Sequence, residues 1–324
     1  MKGLTAIDGI LVGHAARRDS LTGCTVILCE GEAVGGLDIR GSATGSTEWQ
    51  VLAPDHVTDR VHAICLAGGS AFGLEAASGV RSYLARKGVG YPTAAGVVPL
   101  VPGAILYDLA LAKKGAYPDR DLGEAAAKSA TNAPVAEGNV GAGTGASVGK
   151  LFGMSRAMKS GVGTASVELE GPFAGVSVAA LAVVNAFGDV LDPATGKILA
   201  GARTAAGART FAGTAASLQR GAQRRTAPFG QNTTLAVVAT NARLNKVHAS
   251  KLAQMANAGF ARAVSPAWTL YDGDVTFALS AGKAECDLMA LGAAAASVLA
   301  QAIARAVRLA APAGGLPGLG EPNR

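Results

Sequence analysis

Short apolar runs that alternate with helical segments restrict this chain more than any other feature of its sequence. Each run is short enough for one buried strand and is bounded by turn-forming residues. The predicted strands are residues 61–66, 176–184, 235–240 and 275–279, and the predicted helices are residues 73–87, 121–131, 247–264 and 288–309. Charged residues make up 16% and aromatic residues 5% of the chain, whereas Gly and Ala are abundant. Small side chains suit closely packed layers of helix and sheet, so we expect an α/β fold.

The length of 324 residues, 49% of them apolar, allows one large or two moderate domains with a sizeable core. Residues 200–230 are rich in Gly, Ala, Ser, Thr and Arg without periodicity, which predicts an exposed loop. The Pro- and Gly-rich residues 312–324 predict a disordered tail. We therefore expect one folded domain over residues 1–311.

The formal net charge is +6, and the basic excess lies between Asp192 and Asp272, where ten Lys and Arg occur and no Asp or Glu. These basic residues are scattered and lack interleaved aromatic residues, which argues against a nucleic-acid partner. Asp272 and Asp274 are the first carboxylates after this stretch. Because they lie two residues apart, they project from one face if they belong to a strand.

Residues 1–20 show no secretory signal pattern, so we expect a cytoplasmic protein. The longest weakly polar run, residues 288–304, falls short of the roughly 20 apolar residues of a spanning helix, which predicts a buried helix and no membrane partner. The Cys and His residues show neither metal-ligand spacing nor the density of a disulfide framework. We expect no bound metal, no cofactor, and cysteines that act as small buried apolar residues.

Two glycine-rich patterns suggest nucleotide binding, and both are incomplete. Residues 141–146 match GxGxxA, but no clear strand precedes them. Residues 144–151 approach a phosphate loop, yet Thr144 replaces its first Gly and Leu151 replaces the Ser or Thr that contacts magnesium. We therefore do not expect a nucleotide site.

The segment Asn232-Thr233-Thr234 stands between the predicted loop of residues 200–230, which carries several arginines, and the apolar run 235–239. A hydroxyl at the start of a buried strand becomes a candidate nucleophile if the bond before it is cut. Two other interpretations remain from the local sequence, a glycosylation acceptor and ordinary turn residues at a strand entry. The missing secretory signal argues against glycosylation.

Six segments in this order carry a family resemblance: residues 23–27, 62–76, 104–108, 141–150, 232–240 and 271–274. Together they resemble the DmpA-like aminopeptidase and amidase family, which includes β-peptidyl aminopeptidases and nylon-oligomer hydrolases of the NylC type. The resemblance implies a four-layer αββα sandwich of the DmpA and ornithine acetyltransferase type, similar to the core of N-terminal-nucleophile enzymes. It also implies a homo-oligomer.

The resemblance further implies a precursor that cuts itself between Asn232 and Thr233. An α chain of residues 1–232 and a β chain of residues 233–324 would stay associated through a shared core. A threonine hydroxyl is a weak nucleophile, and the freed α-amino group, with a pKa of about 8, can act as its base. The same hydroxyl would attack a peptide or small-molecule amide and give an acyl-enzyme that water resolves.

Five further residues match supporting positions of NylC-like members, and the resemblance implies their roles. Lys150 would lower the pKa of the α-amine, and Asp272 and Asp274 would orient the nucleophile. Asn185 and the site-lining Tyr107 would donate to the oxyanion. Without the resemblance, Lys150 reads as a surface charge, Asn185 as a turn residue and Asp272-Gly273-Asp274 as a hairpin turn.

The chain departs from the aminopeptidase branch at two places. Residues 102–106 contain no acid, whereas the aminopeptidases carry a glutamate there that binds the free amine of the substrate. Asp272-Gly273-Asp274 replaces their Ser-Gly-Glu and resembles the NylC branch. We therefore expect an amide hydrolase, with a β-peptidyl aminopeptidase as the alternative. Two other hypotheses are an acyl transferase related to glutamate N-acetyltransferases and an unprocessed, catalytically silent oligomer.

Overall fold

The computed structural model describes residues 2–223 and 232–321. The strands in these residues are β1 (Ile10–Arg17), β2 (Thr22–Ile39), β3 (Gly45–Thr47), β4 (Arg60–Ala67), β5 (Tyr91–Thr93), β6 (Gly96–Val98), β7 (Gly103–Ile105), β8 (Ser147–Val148), β9 (Met158–Lys159), β10 (Val162–Glu168), β11 (Ser177–Val183), β12 (Asp189–Leu191), β13 (Ile198–Ala200), β14 (Leu235–Ala242), β15 (Val264–Ser265) and β16 (Val275–Ala284). The α-helices are α1 (Glu75–Arg86), α2 (Arg120–Lys128), α3 (Thr214–Gln219), α4 (Lys246–Ala263) and α5 (Leu288–Arg308). All four predicted strands and all four predicted helices are present.

The main sheet has the strand order β10-β11-β14-β16-β2-β4-β7-β3, and β1 pairs with β2. The long strand β2 belongs to both halves of this sheet. Its residues 24–28 pair with β4, and its residues 34–39 pair with β16. The register with β4 shifts between Leu28 and Ala33, so the sheet changes course along β2.

Side chains from the two halves of the sheet meet in one inner core. Ile27 and Ile64 from β2 and β4 share a buried cluster with Val237 and Phe277 from β14 and β16. Because side chains alternate along a strand, the next residues point outward. Ala236 and Val238 pack against α4 and α5, and Cys24 and Cys65 pack against α1 and α2. The order of layers is therefore helix, sheet, sheet, helix, which confirms the expected αββα sandwich.

Small residues set the distance between layers. A methyl group added at Gly259 of α4 would lie 1.8 Å from the carbonyl oxygen of Ala296 on α5. A methyl group at Gly163 of β10 would lie 2.1 Å from the carbonyl oxygen of Ala302 on α5. Neither contact leaves room for a side chain, so α5 packs backbone to backbone on its neighbours.

Helix α5 has 21 residues, and Asp287 caps its start by accepting from the N–H groups of Met289 and Ala290. Among the described helices, α5 is the one that is long and apolar enough to cross a bilayer. It extends past the apolar run 288–304 and ends one residue before the predicted end at residue 309. Most of it is buried against β10, β11 and α4, as expected of a core helix.

The prediction of an exposed loop at residues 200–230 is wrong for residues 200–203, which are buried, and for Thr214–Gln219, which form α3, whereas residues 204–207 are exposed as expected. Ala202 and Thr214 are buried, and both bind the buried carboxylate of Asp189. Asp189 accepts from Ala202 N at 2.8 Å, from Thr214 N at 2.5 Å and from the Thr214 hydroxyl at 2.7 Å. Residues 224–230 of the predicted loop lie outside the described residues.

The tail predicted to be disordered from Pro312 instead packs on the domain as far as Gly320. Leu316 is buried, Lys159 N donates to the carbonyl oxygen of Pro317 at 2.8 Å, and Gly320 N donates to that of Ala310 at 2.9 Å. Its Pro and Gly residues therefore belong to an ordered segment and do not indicate disorder. Residues 322–324 lie outside the described part of the chain.

Candidate active site

The segment that enters β14 runs parallel to the segment that enters β16. These strands pair with Leu235 opposite Val275, and a further bridge joins Asn232 to Asp272. Asn232 N donates to the carbonyl oxygen of Tyr271 at 3.3 Å, and Gly273 N donates to that of Asn232 at 2.9 Å. The parallel ladder therefore continues past the ends of both strands and places the Asn232–Thr233 peptide against Gly273.

Thr233 and Thr234 differ in what their hydroxyls contact. The Thr233 hydroxyl is buried and donates to the carbonyl oxygen of Asn232 at 2.5 Å. The Thr234 hydroxyl is buried and has no hydrogen-bond partner among the described residues. Of the two hydroxyls, that of Thr233 is the one that lies against the peptide before it.

Position 273 has no room for a side chain beside this hydroxyl, so glycine fits there. A methyl group there would lie 2.8 Å from Thr233 Oγ1 and 2.4 Å from the carbonyl oxygen of Ala43. Any larger residue would displace the hydroxyl or the loop at Ala43. The Asp-Gly-Asp sequence therefore places two carboxyls on either side of a glycine, and the absence of a side chain at this glycine leaves space for the Thr233 hydroxyl.

Lys150 and Asn185 form a buried polar unit next to Thr233. The Lys150 ammonium donates to the side-chain oxygen of Asn185 at 2.6 Å and to its carbonyl oxygen at 3.2 Å. The same carbonyl oxygen accepts from Thr233 N at 3.0 Å. Ser147 N donates to the Asn185 side-chain oxygen at 3.1 Å, and Asn185 Nδ2 donates to the carbonyl oxygen of Tyr107 at 3.0 Å.

The two carboxyls are buried and interact with each other. Asp272 accepts from Phe187 N at 3.0 Å and from the N–H and hydroxyl of Thr269. Asp274 accepts from Thr234 N at 2.7 Å. Burial raises the pKa of Asp272, against the hydrogen bonds from Thr269 and Phe187 and the charge of Lys150.

Burial also raises the pKa of Asp274 well above its usual value, and the charge of Asp272 raises it further. Two neighbouring carboxyls in a buried site resist carrying two negative charges. The pair therefore favours the neutral form of Asp274.

A second buried lysine, Lys159, supports this site from behind. It lies on β9 opposite Ser147 of β8, whose N–H binds Asn185. Its ammonium donates at 2.5–3.1 Å to the carbonyl oxygens of Gly143, Ala146 and Ser160. Burial lowers the pKa of Lys159 to about 7, opposed by the Asp108 carboxylate. The glycine-rich residues 141–145 form a buried 3-10 helix around this lysine.

The structure brings Thr233, Lys150, Asn185, Asp272 and Asp274 together. Lys150 and Asn185 are buried, which rules out Lys150 as a surface charge. Residues 272–274 lead into β16 beside β14, which rules out a hairpin turn.

The expected roles of Asn185 and Tyr107 as oxyanion donors stay predictions. Asn185 binds Lys150 and the carbonyl oxygen of Tyr107, so Tyr107 enters this network through its backbone. The described donors to the Asn232 carbonyl oxygen are Gly273 N and the Thr233 hydroxyl. No local sequence signal assigned a role to Gly273, Thr269 or Ser147, which act through backbone register or as supports.

Two solved structures share this fold. The β-aminopeptidase of a Burkholderia species aligns with a TM-score of 0.68 at 23% identity over 98% of this chain and 91% of that one. The L-aminopeptidase D-Ala-esterase/amidase of Ochrobactrum anthropi, a variant of the Ntn hydrolase fold, aligns with a TM-score of 0.68 at 19% identity over 95% and 86%. Both confirm the fold that the sequence resemblance implied.

Sequence relatives span nearly the whole chain. An uncharacterized aminopeptidase of Mycobacterium tuberculosis is 38% identical over 98% of this chain and 96% of that protein. A 6-aminohexanoate-oligomer endohydrolase of Kocuria sp. is 31% identical over 93% of this chain and 84% of that enzyme. Peptidase family S58 matches residues 2–319. The chain therefore belongs to peptidase family S58 and is a hydrolase of amide bonds.

Proposed function

We propose that the chain cuts itself between Asn232 and Thr233 and then hydrolyses amides with Thr233 as an N-terminal nucleophile. The observation that carries this proposal is the 2.5 Å contact between the Thr233 hydroxyl and the carbonyl oxygen of the peptide before it. The contact is buried, and Gly273 leaves room for the hydroxyl. Because the two groups are already in contact, the attack is an intramolecular step and needs no bimolecular encounter.

The cut supplies the base that the mature enzyme needs. Thr233 N donates to the carbonyl oxygen of Asn185 in the intact chain, and the freed amine would keep this partner. The nearby Lys150 ammonium favours the neutral form of that amine. The neutral amine would then take the hydroxyl proton of Thr233 when the hydroxyl attacks a substrate carbonyl.

The substrate we propose is a linear amide whose acyl part carries no obligatory free amine. The strand before Tyr107, β7, is buried and apolar. The acid after it, Asp108, is buried and accepts from the Thr22 hydroxyl and Gly69 N, both at 2.7 Å. No carboxylate of residues 102–108 is therefore free to bind an ammonium group. The Kocuria relative, named for a 6-aminohexanoate oligomer, is consistent with this choice.

An aminopeptidase is the second candidate, because the more similar relative, 38% identical, carries that name. The two activities are separated by kcat/KM for a linear oligoamide with a free amine and for the same oligoamide with that amine acetylated. We expect the acetylated substrate to be cut at least as fast. Loss of activity on acetylation would favour the aminopeptidase. An added amine acceptor that diverts the acyl group would indicate a transferase.

The intact mass of the purified protein tests the nucleophile. We expect wild type to split between Asn232 and Thr233, Thr233→Ala to remain one chain, and Thr233→Ser to split. Thr234→Ala is the matched control, because its hydroxyl lies one residue away and contacts no described partner. An uncut wild type, or a cut Thr233→Ala, would contradict the proposal.

We also propose that the protein assembles as a homo-oligomer. Large apolar side chains are exposed on its surface, including Leu270 and Met289, each 68% exposed. Burial of such side chains between copies would stabilise an assembly. Sedimentation velocity measures the mass, and a monomer at all concentrations would contradict this proposal.

A further inference from the structure

The carbonyl oxygen of Asn232 has two described hydrogen-bond donors, Gly273 N at 2.9 Å and the Thr233 hydroxyl at 2.5 Å. If the hydroxyl attacks this carbonyl, it gives up its proton and ceases to be a donor. The carbonyl oxygen gains negative charge in the same step. Gly273 N–H is then the described donor that remains.

We propose that the backbone N–H of Gly273 is the oxyanion donor of self-cleavage, an inference that rests on the proposed function. This N–H is aligned with the Asn232 carbonyl because β14 and β16 are parallel and in fixed register. Asp272 is the bridge partner of Asn232, and in a parallel ladder the N–H of the residue after Asp272, Gly273, points at the Asn232 carbonyl. The strand register therefore aligns a donor with the bond to be cut.

The segment that carries this N–H is fixed from its other side. Ala43 N donates to the carbonyl oxygen of Asp272 at 3.0 Å. Arg40 N and Gly41 N donate to that of Asp274 at 3.0 and 3.1 Å. Gly273 therefore lies between two anchored peptides, and its N–H needs little reorganisation when charge develops. A donor aligned in advance stabilises a transition state more than one that must reorient.

The surroundings strengthen this single donor. Asn232, Thr233 and Asp272 are each 2% exposed or less, so water does not compete for the oxygen. Electrostatic interactions are stronger in such a site than in water. Burial raises the pKa of both Asp272 and Asp274, which at a given pH lowers the negative charge that would repel an oxyanion.

The side chain expected to donate is already engaged. The Asn185 amide accepts from Lys150 and Ser147 and donates to the carbonyl oxygen of Tyr107. Thr233 N belongs to the leaving group and donates to the carbonyl oxygen of Asn185. Among the described hydrogen bonds, those to the carbonyl oxygen of Asn232 come from Gly273 N and the Thr233 hydroxyl, and none comes from the Asn185 side chain.

The step balances within the chain. Thr233 Oγ1 forms a bond to the Asn232 carbonyl carbon, and the π electrons move to the carbonyl oxygen beside Gly273 N–H. Collapse of this intermediate re-forms the C=O bond and breaks the bond to Thr233 N. The hydroxyl proton passes to that nitrogen, which becomes an amine. Water then hydrolyses the ester to the Asn232 carboxylate and the free Thr233 hydroxyl.

The test replaces one amide by an ester, which removes the N–H and keeps the side chain. Gly273→glycolic acid removes the proposed donor. Val275→2-hydroxyisovaleric acid is the matched control, since Val275 N donates to the carbonyl oxygen of Thr234 at 3.2 Å in the same ladder. Each ester removes one hydrogen bond of the ladder, but only the ester at 273 removes a donor to the carbonyl of the peptide bond to be cut. The rate of splitting is followed by intact mass.

We expect the ester at 273 to slow splitting by about 100- to 1000-fold relative to the ester at 275. Equal rates in the two variants, with wild type splitting normally, would overturn the role of Gly273 and leave the proposed function intact. Failure of wild type to split would overturn both.

Should the ester at 273 not fold, hydrogen exchange decides the question in the uncleaved Thr233→Ala protein. Slow exchange of the Gly273 amide would support a persistent hydrogen bond to Asn232, and exchange at the rate of a free amide would overturn it.

Discussion

The ammonium of Lys150 lies 2.6 Å from the side-chain oxygen of Asn185 and 3.2 Å from its carbonyl oxygen, so the two residues form one unit. That unit also receives Thr233 N at the carbonyl oxygen of Asn185. The position of the cation beside the proposed nucleophile therefore depends on an amide, and loss of either residue should disturb the same geometry.

Asn185→Ala should slow self-cleavage by about 100-fold, because the Lys150 ammonium loses its shorter partner and moves. Lys150→Met should have a similar effect, and the double variant should be little slower than either single variant. Intact mass against time measures the three rates. Asn139→Ala, which removes an asparagine bound to the carbonyl oxygen of Ala311, is the control. Additive losses would show that the two residues act separately.

Asp274→Asn should become more stable relative to its parent as the pH rises from 4 to 7. Burial and the charge of Asp272 raise the pKa of Asp274, so the native state keeps a proton that the unfolded chain loses near a pKa of about 3.9. The native state then binds more protons, and the free energy of unfolding falls as the pH rises. Asp274→Asn has no carboxyl to titrate, so its free energy of unfolding does not fall for this reason.

Urea unfolding over this pH range, in the uncleaved Thr233→Ala background, measures the difference for Asp274→Asn. Asp55→Asn on the surface is the control. A stability difference that does not change with pH would show that Asp274 is ionised in the folded protein.

Lys159→Met should lose stability relative to wild type as the pH rises from 7 to 10. Burial lowers the native pKa of Lys159 from 10.5 to about 7, so over this window the unfolded chain binds the extra proton. The free energy of unfolding of wild type therefore rises with pH by an amount that the variant cannot show. Chemical denaturation across the window tests this, with Lys251→Met as the surface control. Parallel pH profiles for wild type and Lys159→Met would contradict it.

Gly259→Ala should destabilise the protein by about 1–3 kcal/mol or more, because its methyl group would lie 1.8 Å from the carbonyl oxygen of Ala296. The helix propensity of Ala works in the opposite direction, so the sign of the change is informative. Ala261→Gly on the exposed face of α4 should cost about 1 kcal/mol and sets the scale of propensity alone. Thermal unfolding of both variants measures the difference, and a stabilised Gly259→Ala would show that α4 and α5 separate easily.

The sequence predicted those parts of the fold whose signal is local. Strands β14 and β16 are apolar runs of the expected length, and Asn232-Thr233-Thr234 was recognised at the entry of β14. Strand β2 is not predicted by the sequence, because Gly35 and Gly36 interrupt its apolar pattern. A methyl group at Gly36 would lie 2.3 Å from the backbone of Ala249, so the interruption is required by α4.

The site shows the same division. The cluster of Thr233, Lys150, Asn185, Asp272 and Asp274 followed from a resemblance between aligned motifs. The contact between Gly273 N and the Asn232 carbonyl depends on the register of two strands that are 40 residues apart, as Leu235 opposite Val275 shows. Local sequence does not encode register between distant strands. Lys159 looks like an ordinary surface lysine until the structure shows it fully buried.

The two-sided pairing of β14 has a consequence for the life of the mature protein. Strand β14 lies between β11, which precedes the proposed cut, and β16, which follows it. Neither the α chain nor the β chain would then contain a complete core, and denaturation would separate two chains that no peptide bond connects. The native state of the mature protein should thus be reached only by folding of the intact precursor. We expect the cleaved protein to unfold irreversibly and the uncleaved Thr233→Ala protein to refold.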